Sequence, residues 1–316
     1  ILDELWEMGL NMYDCAAIYG EAELGAYLSE RKRREAAVIV TKCAHPSIYR
    51  NRVTPFDMES DLYDSLAKLK TDYIDIYQFH CASQVYKPHD GTGMYECMLE
   101  AKKQGKIKHI GITAHQLQVA LDAVDSKLYE TIQFPFSYLS SDKELELVQK
   151  SQKANMGFIA MKGLAGGLIN QSKPAMAYMS QFDNVLPIWG IQKESELDEW
   201  LSYMQETPVF NDEMKEFIEK EKEELSGDFC RGCGYCMPCP VGIMINQCAR
   251  MSLMLRRAPS QNWLTEDMQA EMKKIEGCLH CGQCSRRCPY ELDTPALLQK
   301  NYEDYQKVLS GEVKVQ

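Results

Sequence analysis

Residues 55–80 read Pro55-Phe-Asp-Met-Glu-Ser-Asp-Leu-Tyr-Asp-Ser-Leu-Ala-Lys-Leu-Lys-Thr-Asp-Tyr-Ile-Asp-Ile-Tyr-Gln-Phe-His80. The first part, residues 55–70, has the apolar periodicity of a helix, and Pro55 stands near its start, where proline is favoured. The following Ile74-Asp-Ile76 is typical of a parallel strand that is buried on both faces. This stretch therefore predicts a helix joined by a short turn to a parallel strand.

The same alternation extends in both directions over residues 1–205. The predicted strands are residues 11–16, 37–43, 73–80, 107–114, 131–136, 157–164 and 185–191. The predicted helices between and after them are residues 21–31, 55–70, 94–104, 117–128, 143–155, 175–182 and 195–205. Seven such units with short connections predict either a (β/α)₈ barrel or a doubly wound sheet.

The start of the chain favours the barrel. A helix predicted over residues 1–8 fits the first crossover helix of a barrel whose first strand lies upstream of Ile1. No Gly-x-Gly-x-x-Gly follows the first visible strand, although a doubly wound dinucleotide fold commonly has one there. We therefore predict an α/β fold of the TIM-barrel type, with its first strand missing upstream of residue 1.

Composition excludes several classes of protein. The chain has 316 residues, and its net charge of -11 argues against a nucleic-acid surface, which is typically basic. No apolar run approaches the ~20 residues that span a bilayer, and no export signal is visible, which predicts a cytoplasmic protein. An acidic helix over residues 206–225 is expected to link a barrel of residues 1–205 to a cysteine-rich domain of residues 226–316.

Polar residues with a shared chemical use stand at the carboxyl ends of the first predicted strands, where barrels place their active sites. These are Asp14, Lys42 and His80, with Tyr19 in the loop that follows Asp14. A phenol has a reference pKa of ~10, and a neighbouring ammonium stabilises its phenolate. A carboxylate can hold that lysine, and an imidazole can orient a carbonyl. The set fits proton delivery to a carbonyl that accepts a hydride; a purely structural Asp–Lys pair is the alternative.

Five stretches of the barrel segment, taken in order, resemble the aldo-keto reductases. They are Asn11-Met-Tyr-Asp-Cys-Ala-Ala-Ile-Tyr-Gly20 with Glu23-Leu-Gly25, Val40-Thr-Lys42, Asp72-Tyr-Ile-Asp-Ile-Tyr-Gln-Phe-His80, Gly105-Lys-Ile-Lys-His-Ile-Gly111 and Pro187-Ile-Trp-Gly190. The resemblance implies Tyr19 as general acid/base, Lys42 and Asp14 as its tuning pair, and His80 as the residue that orients the substrate. It also implies a nicotinamide cofactor across the barrel mouth.

The resemblance further implies which residues contact NAD(P). The candidates are Thr113, Gln133, Met161, Lys162, Gly163, Leu164, Gly166, Gln192, Lys193, Ser195 and Glu199. Some positions depart from the family: Thr113-Ala114 replaces a common Ser-Asn pair, and Met161 stands where an aromatic ring often stacks on the nicotinamide. Lys193 slightly favours the 2′-phosphate of NADP, while NAD and a flavin stay open.

Eight of the 13 cysteines form two motifs, Cys230-x2-Cys233-x2-Cys236-x2-Cys239-Pro240 and Cys278-x2-Cys281-x2-Cys284-x3-Cys288-Pro289. Three cysteines at this spacing can bind one cubane, whose fourth ligand in two-cluster ferredoxins is the Cys-Pro cysteine of the other motif. One [4Fe–4S] cluster is accordingly assigned to Cys230, Cys233, Cys236 and Cys288. The other is assigned to Cys278, Cys281, Cys284 and Cys239, with Cys248 in reserve because the first motif has x2 before its last cysteine.

Zinc is the competing interpretation, because Cys₄ zinc sites also use Cys-x2-Cys pairs. The third closely spaced cysteine and the Cys-Pro endings favour iron–sulfur clusters. Residues 243–257, 265–276 and Thr294–Leu309 are predicted helices, so the tail is expected to be an α-helical ferredoxin-like domain. The whole chain resembles the aldo-keto reductases that carry such a C-terminal domain.

Three functions follow as hypotheses. The first is an NAD(P)-linked oxidoreductase that reduces a small-molecule carbonyl or oxidises an alcohol. The second is an enzyme, flavin-dependent in one version, that passes electrons through the clusters to a ferredoxin or another electron-transfer partner. The third is a non-catalytic subunit that senses redox state. In each of them the clusters could instead serve only to stabilise the tail.

Overall fold

The computed structural model describes residues 1–17, 19–43, 54–191, 193–225, 229–257, 259–288 and 290–315. Contacts divide the chain into two compact units. The first consists of Ile1–Phe136, Ser140–Met161 and Ser180–Thr207, and the second of Ser137–Leu139, Lys162–Met179 and Pro208–Gln316. The domain boundaries at residues 205 and 225 remain predictions.

The first unit is built on a parallel sheet whose strands pair in chain order. The strands are β1 (Met12–Asp14), β2 (Val38–Cys43), β3 (Ile74–Phe79), β4 (Ile107–Thr113), β5 (Thr131–Pro135), β6 (Gly157–Met161) and β7 (Val185–Pro187). The order never reverses, as it would in a doubly wound sheet. It is the order of TIM-barrel strands, which confirms the predicted fold class; a further strand upstream of Ile1 remains a prediction.

Helices fill the crossovers between these strands. They are α1 (Leu2–Glu7), α2 (Glu21–Glu30), α3 (Pro55–Leu69), α4 (Met94–Lys103), α5 (Leu117–Ser126), α6 (Asp142–Lys153), α7 (Ser172–Met179) and α8 (Glu194–Gln205). Local sequence sets their limits: α3 begins with a capping box between Thr54 and Asp57 and ends at Lys70 in the left-handed conformation. Gly25 lets α2 approach α3, because a Cβ there would lie 2.2 Å from the Lys68 carbonyl oxygen.

The largest differences from the predicted elements are at the ends of β6 and β7. Residues 157–164 were expected as one strand, but β6 ends at Met161. Lys162 has φ +57°, and this left-handed conformation cannot continue a strand. β7 ends at Pro187, short of the expected residue 191.

The second unit is helical outside its loops, as predicted. Its further helices are α9 (Asp212–Glu224), α10 (Ile245–Cys248), α11 (Met251–Arg257), α12 (Glu266–Lys273), α13 (Gln283–Arg287) and α14 (Thr294–Leu309). Their core contains the fully buried Ile243, Met251, Leu255 and Met272. Among the residues described, no helix is both long and apolar enough to cross a membrane.

Candidate active site and cysteine sites

A buried ion pair joins the carboxyl ends of β1 and β2. The Lys42 Nζ donates to Asp14 Oδ1 at 2.8 Å and to the Cys15 carbonyl oxygen at 2.7 Å. The Lys42 side chain is 4% exposed and that of Asp14 is 12% exposed. The parallel register brings the two together, because Asp14 lies opposite Val40, two residues before Lys42. The sheet therefore places an ammonium and a carboxylate where a barrel has its active site.

Gln133, near the end of β5, is hydrogen-bonded to this ion pair. Its Nε2 donates to the second oxygen of Asp14 at 3.4 Å. Its Oε1 is buried and has no hydrogen-bond partner among the described residues. An orphaned buried acceptor is costly unless a partner is supplied. The carboxamide N–H of a nicotinamide is a group that fits this acceptor.

Tyr19 lies in the turn between β1 and α2. The Tyr19 N–H donates a hydrogen bond to the Ala16 carbonyl oxygen at 2.8 Å, which stabilises this turn. Its ring is 57% exposed. Burial of the hydroxyl, followed by the charge of Asp14, raises the pKa of Tyr19 above its ordinary value. This direction is opposite to the lowering expected beside a lysine, and Lys42 is not among the groups that shift this pKa. The phenol is therefore protonated at neutral pH and can act as an acid.

His80 follows β3 directly and is half-buried. The three cysteines that come after the candidate catalytic residues, Cys15, Cys43 and Cys81, are all buried. Burial raises the pKa of Cys43 to about 12. Burial also raises the pKa of Cys15, and all three side chains are packed in the interior.

Two of the predicted cofactor contacts already have protein partners. The Thr113 hydroxyl accepts a hydrogen bond from the Cys81 N–H at 2.7 Å, and its residue is 2% exposed. Glu199 accepts a hydrogen bond from the Tyr203 hydroxyl at 2.9 Å. Lys193, Ser195 and Glu199 are exposed around the start of α8. Gln192 lies outside the described residues.

The remaining candidates belong to the segment that enters the second compact unit. Met161 ends β6 in the first unit, and Lys162 begins the part of the second unit that continues to Met179. Gly163 is buried and Leu164 half-buried. Gly166 has φ +67°, and its carbonyl oxygen accepts a hydrogen bond from Arg250 Nη1 at 2.8 Å. The glycine-rich segment 163–167 thus contacts the cysteine-rich part of the chain.

Arg250 was missed by sequence reasoning. It is separated from Gly166 by 84 residues, and no local pattern connects them. One feature of the sequence could have indicated this contact. Both segments, Gly163–Gly167 and Gly232–Gly234, are rich in glycine, which permits close approach of a large side chain.

The first cysteine site surrounds about 340 Å³ of empty space, part of it open to solvent. The cysteines that line it are Cys230, Cys233, Cys236 and Cys288. The Gly232 N–H donates to Cys230 Sγ at 3.4 Å. Burial raises the pKa of Cys236 to about 12, so a thiolate ligand there depends on the positive charge of bound iron. These residues fit a four-cysteine cluster site.

The second cysteine site surrounds about 390 Å³ of empty space, also partly open. The cysteines that line it are Cys236, Cys239, Cys278, Cys281 and Cys284. Cys248 is fully buried and lines neither space, which supports Cys239 as the fourth ligand. This site is nearer to solvent than the first, since Cys281 is exposed and Leu279 is 64% exposed.

The barrel sheet and the two cysteine sites together define an oxidoreductase with an iron–sulfur domain. The chain belongs to the aldo/keto reductase family, whose model matches residues 1–207. The model of a 4Fe-4S dicluster domain matches residues 229–293, which decides for iron–sulfur over zinc. The family and the domain type predicted from sequence are confirmed.

Curated relatives agree with this assignment. Protein tas of Escherichia coli K12 is 27% identical over 237 residues, which cover 61% of this chain and 68% of tas. The oxidoreductase YrpG of Bacillus subtilis is 26% identical over 191 residues, 54% of this chain and 58% of YrpG. The methylglyoxal reductase DkgB of Salmonella typhimurium is 34% identical over 149 residues, 44% of this chain and 52% of DkgB.

Solved structures show the same fold. The holo form of the aldo-keto reductase AKR11C1 from Bacillus halodurans matches with a TM-score of 0.58 and 22% identity, covering 70% of this chain and 84% of that one. An aldo-keto reductase from Pseudomonas aeruginosa matches with a TM-score of 0.56 and 20% identity, covering 64% and 80%.

Proposed function

We propose that this protein reduces a small carbonyl compound, or oxidises the corresponding alcohol, by hydride exchange with NAD(P), with NADP slightly favoured. The observation that carries the proposal is the Asp14–Lys42 pair, buried at the strand ends with Gln133 beside it and Tyr19 in the adjacent turn. A carbonyl reductase needs a proton donor next to a position where a hydride arrives, and these residues supply the donor side.

In the reduction, Tyr19 gives the proton of its hydroxyl to the carbonyl oxygen of the substrate. The raised pKa of Tyr19 keeps this proton on the phenol at neutral pH. Lys42, held by Asp14, stabilises the negative charge that the proton transfer leaves on the phenol oxygen. His80 orients the carbonyl by a hydrogen bond. In the oxidation the proton returns from the alcohol to Tyr19.

A bound nicotinamide would supply or take the hydride. Gln133 offers an acceptor to its carboxamide, and the glycine-rich segment 163–167 offers backbone to its pyrophosphate. Lys193 and Ser195 are the residues proposed to contact the 2′-phosphate of NADP. Thr113, Met161, Lys162, Leu164, Gln192 and Glu199 complete the proposed contact set.

A second function, electron transfer through the clusters to a ferredoxin-like partner, has its own support. The segment that follows β6 belongs to the same compact unit as both cysteine sites. The charge of Lys162 acts on Cys233, so the first residue beyond the barrel strand lies within electrostatic range of the first site. A cytoplasmic location remains a prediction.

The test is turnover by anaerobically isolated protein with NADPH or NADH and methylglyoxal, the substrate class in the name of one relative. Tyr19→Phe should lower turnover by about 10²–10⁴-fold and leave nucleotide binding unchanged. Tyr63→Phe, which alters a half-exposed tyrosine on α3, is the matched control and should retain turnover. Equal turnover of both variants would remove Tyr19 from the mechanism.

The same preparation separates the two functions. If the clusters carry electrons, their visible absorbance should bleach when substrate or NAD(P)H is added. Constant absorbance during product formation would show that the clusters take no part in the reaction. Nucleotide binding with no turnover of any carbonyl would favour the sensing subunit.

A further inference from the structure

Arg250 contacts two separate loops of the second unit. It lies between α10 and α11 and is half-buried. Its Nη1 donates to the Gly166 carbonyl oxygen at 2.8 Å, in the segment that follows β6. The same guanidinium also lies against Gly232, between Cys230 and Cys233, through Cζ, Nη1 and Nε. One side chain therefore connects the glycine-rich segment 163–167 to the loop of the first cysteine site.

Two glycines make room for this side chain. A Cβ on Gly166 would lie 2.8 Å from Arg250 Nη1, and a Cβ on Gly232 would lie 3.0 Å from its Cζ and Nη1. Both glycines also have positive φ, +67° and +68°. Any other residue at either position would displace the guanidinium, so the contact depends on the sequence of both loops.

The Nε of Arg250 is buried and has no hydrogen-bond partner among the residues that the structure describes. A Cβ on Gly232 would lie 3.3 Å from it, so this N–H is at the backbone of the loop that carries Cys230. A buried cationic donor left unpaired is expensive. Arg250 does not line the space that the cysteines of the first site surround, but its charge interacts with that of Cys230. A charge close to a ligand cysteine is one of the means by which a protein sets cluster potential.

We infer that Arg250 is a positioning residue that couples the charge of the first cluster to the segment 163–167, and through it to the affinity for nucleotide. This inference rests on the proposed function, which places the pyrophosphate of NAD(P) on that segment. Nη1 holds the segment at Gly166, and the charge of the same guanidinium lies against the loop that carries Cys230.

The sign of the coupling follows from charge. When a mediator gives the first cluster one electron, the cluster gains one negative charge and attracts the guanidinium more strongly. This attraction weakens the bond from Nη1 to Gly166 and loosens the segment. The reduced protein then binds the pyrophosphate more weakly, and by reciprocity the bound nucleotide lowers the potential of the first cluster. A tenfold difference in affinity corresponds to about 59 mV for one electron.

The experiment is an EPR-monitored redox titration of the anaerobic full-length protein, with and without 2′-phospho-ADP-ribose. This probe carries the pyrophosphate but has no nicotinamide to exchange electrons. In the wild-type protein the probe should lower the reduction potential of one cluster and leave the potential of the other unchanged. In Arg250→Gln the same cluster should have a lower potential without probe, because a cation is lost, and the probe should no longer shift it.

Two further variants complete the test. Arg250→Lys keeps the charge but cannot reach both loops, so it should keep the potential near the wild-type value and lose the shift. Arg286→Gln is the matched control at the second motif, where Arg286 Nη1 donates to the Cys281 carbonyl oxygen at 3.2 Å; it should retain the shift. A shift that persists in Arg250→Gln, or a probe that binds wild-type protein without any shift, overturns the coupling alone. A wild-type protein that binds neither 2′-phospho-ADP-ribose nor ADP-ribose overturns the proposed function as well.

Discussion

Two buried ion pairs, one in each compact unit, differ in what surrounds them. The Lys42 and Asp14 side chains are 4% and 12% exposed, and those of Arg257 and Glu221 are 9% and 10% exposed. Arg257 Nη1 lies 3.1 Å from both oxygens of Glu221, and Nε donates to the Leu168 carbonyl at 3.1 Å. The Tyr138 hydroxyl donates to Glu221 at 3.2 Å.

The Arg257–Glu221 pair therefore has partners from two other segments of the chain, at Leu168 and Tyr138. The Lys42–Asp14 pair lies beside an unpartnered acceptor on Gln133 and a half-exposed phenol, Tyr19. Equal burial thus accompanies two different surroundings. We expect a pair whose neighbours are satisfied within the protein to hold the fold together, and a pair next to an unsatisfied group to serve a ligand.

The largest expected effect is on Lys42. Lys42→Met should lower turnover by about 10³-fold, close to 4 kcal/mol of transition-state stabilisation, because the charge on the phenol oxygen loses its partner. Steady-state kinetics of the anaerobic protein measure this. Turnover within a few-fold of wild type would make the Lys42–Asp14 pair structural, like the other.

The corresponding change in the second ion pair is Arg257→Met. It leaves Glu221 buried without its cation and should lower the free energy of unfolding by about 3 kcal/mol. Urea unfolding followed by fluorescence measures the loss, and turnover of the folded fraction should change little. A stable variant would show that α9 and α11 do not depend on this pair.

The sequence predicts the Lys42–Asp14 pair but not the Arg257–Glu221 pair. Asp14 and Lys42 could be placed together because parallel strands end at one edge, so a pattern of strands locates both residues. Glu221 could not be singled out, because it is one acid among many on α9 and its partner lies 36 residues further on. The acidic helix itself is predicted from the sequence, but the burial of one of its charges depends on packing that periodicity does not encode.

A smaller effect is expected at Gln133. Gln133→Leu removes the orphaned acceptor together with the long 3.4 Å bond to Asp14, so the melting temperature should change little while nucleotide affinity falls by about tenfold, or 1.4 kcal/mol. Differential scanning fluorimetry and nucleotide titration give the two values. A fall in both would make Gln133 a part of the fold and not of a binding site.

The smallest effect concerns pH. Carbonyl reduction needs the protonated phenol, and the pKa of Tyr19 lies above its ordinary value because of burial and Asp14. The rate of reduction should therefore persist through neutral pH and fall only in strongly alkaline solution. Asp14→Asn removes one of the raising charges, so the alkaline limb of kcat/KM should move to lower pH. An unmoved limb would assign it to another group.

The exposure of Leu279 and Cys281 has a practical consequence for the purified protein. Dioxygen and chelators would reach a cluster held at this loop before one held by the less exposed Cys230, Cys233 and Cys288. Aerobic storage should therefore strip iron in two stages, with a half-loaded species that retains the cluster next to Arg250 as the long-lived product.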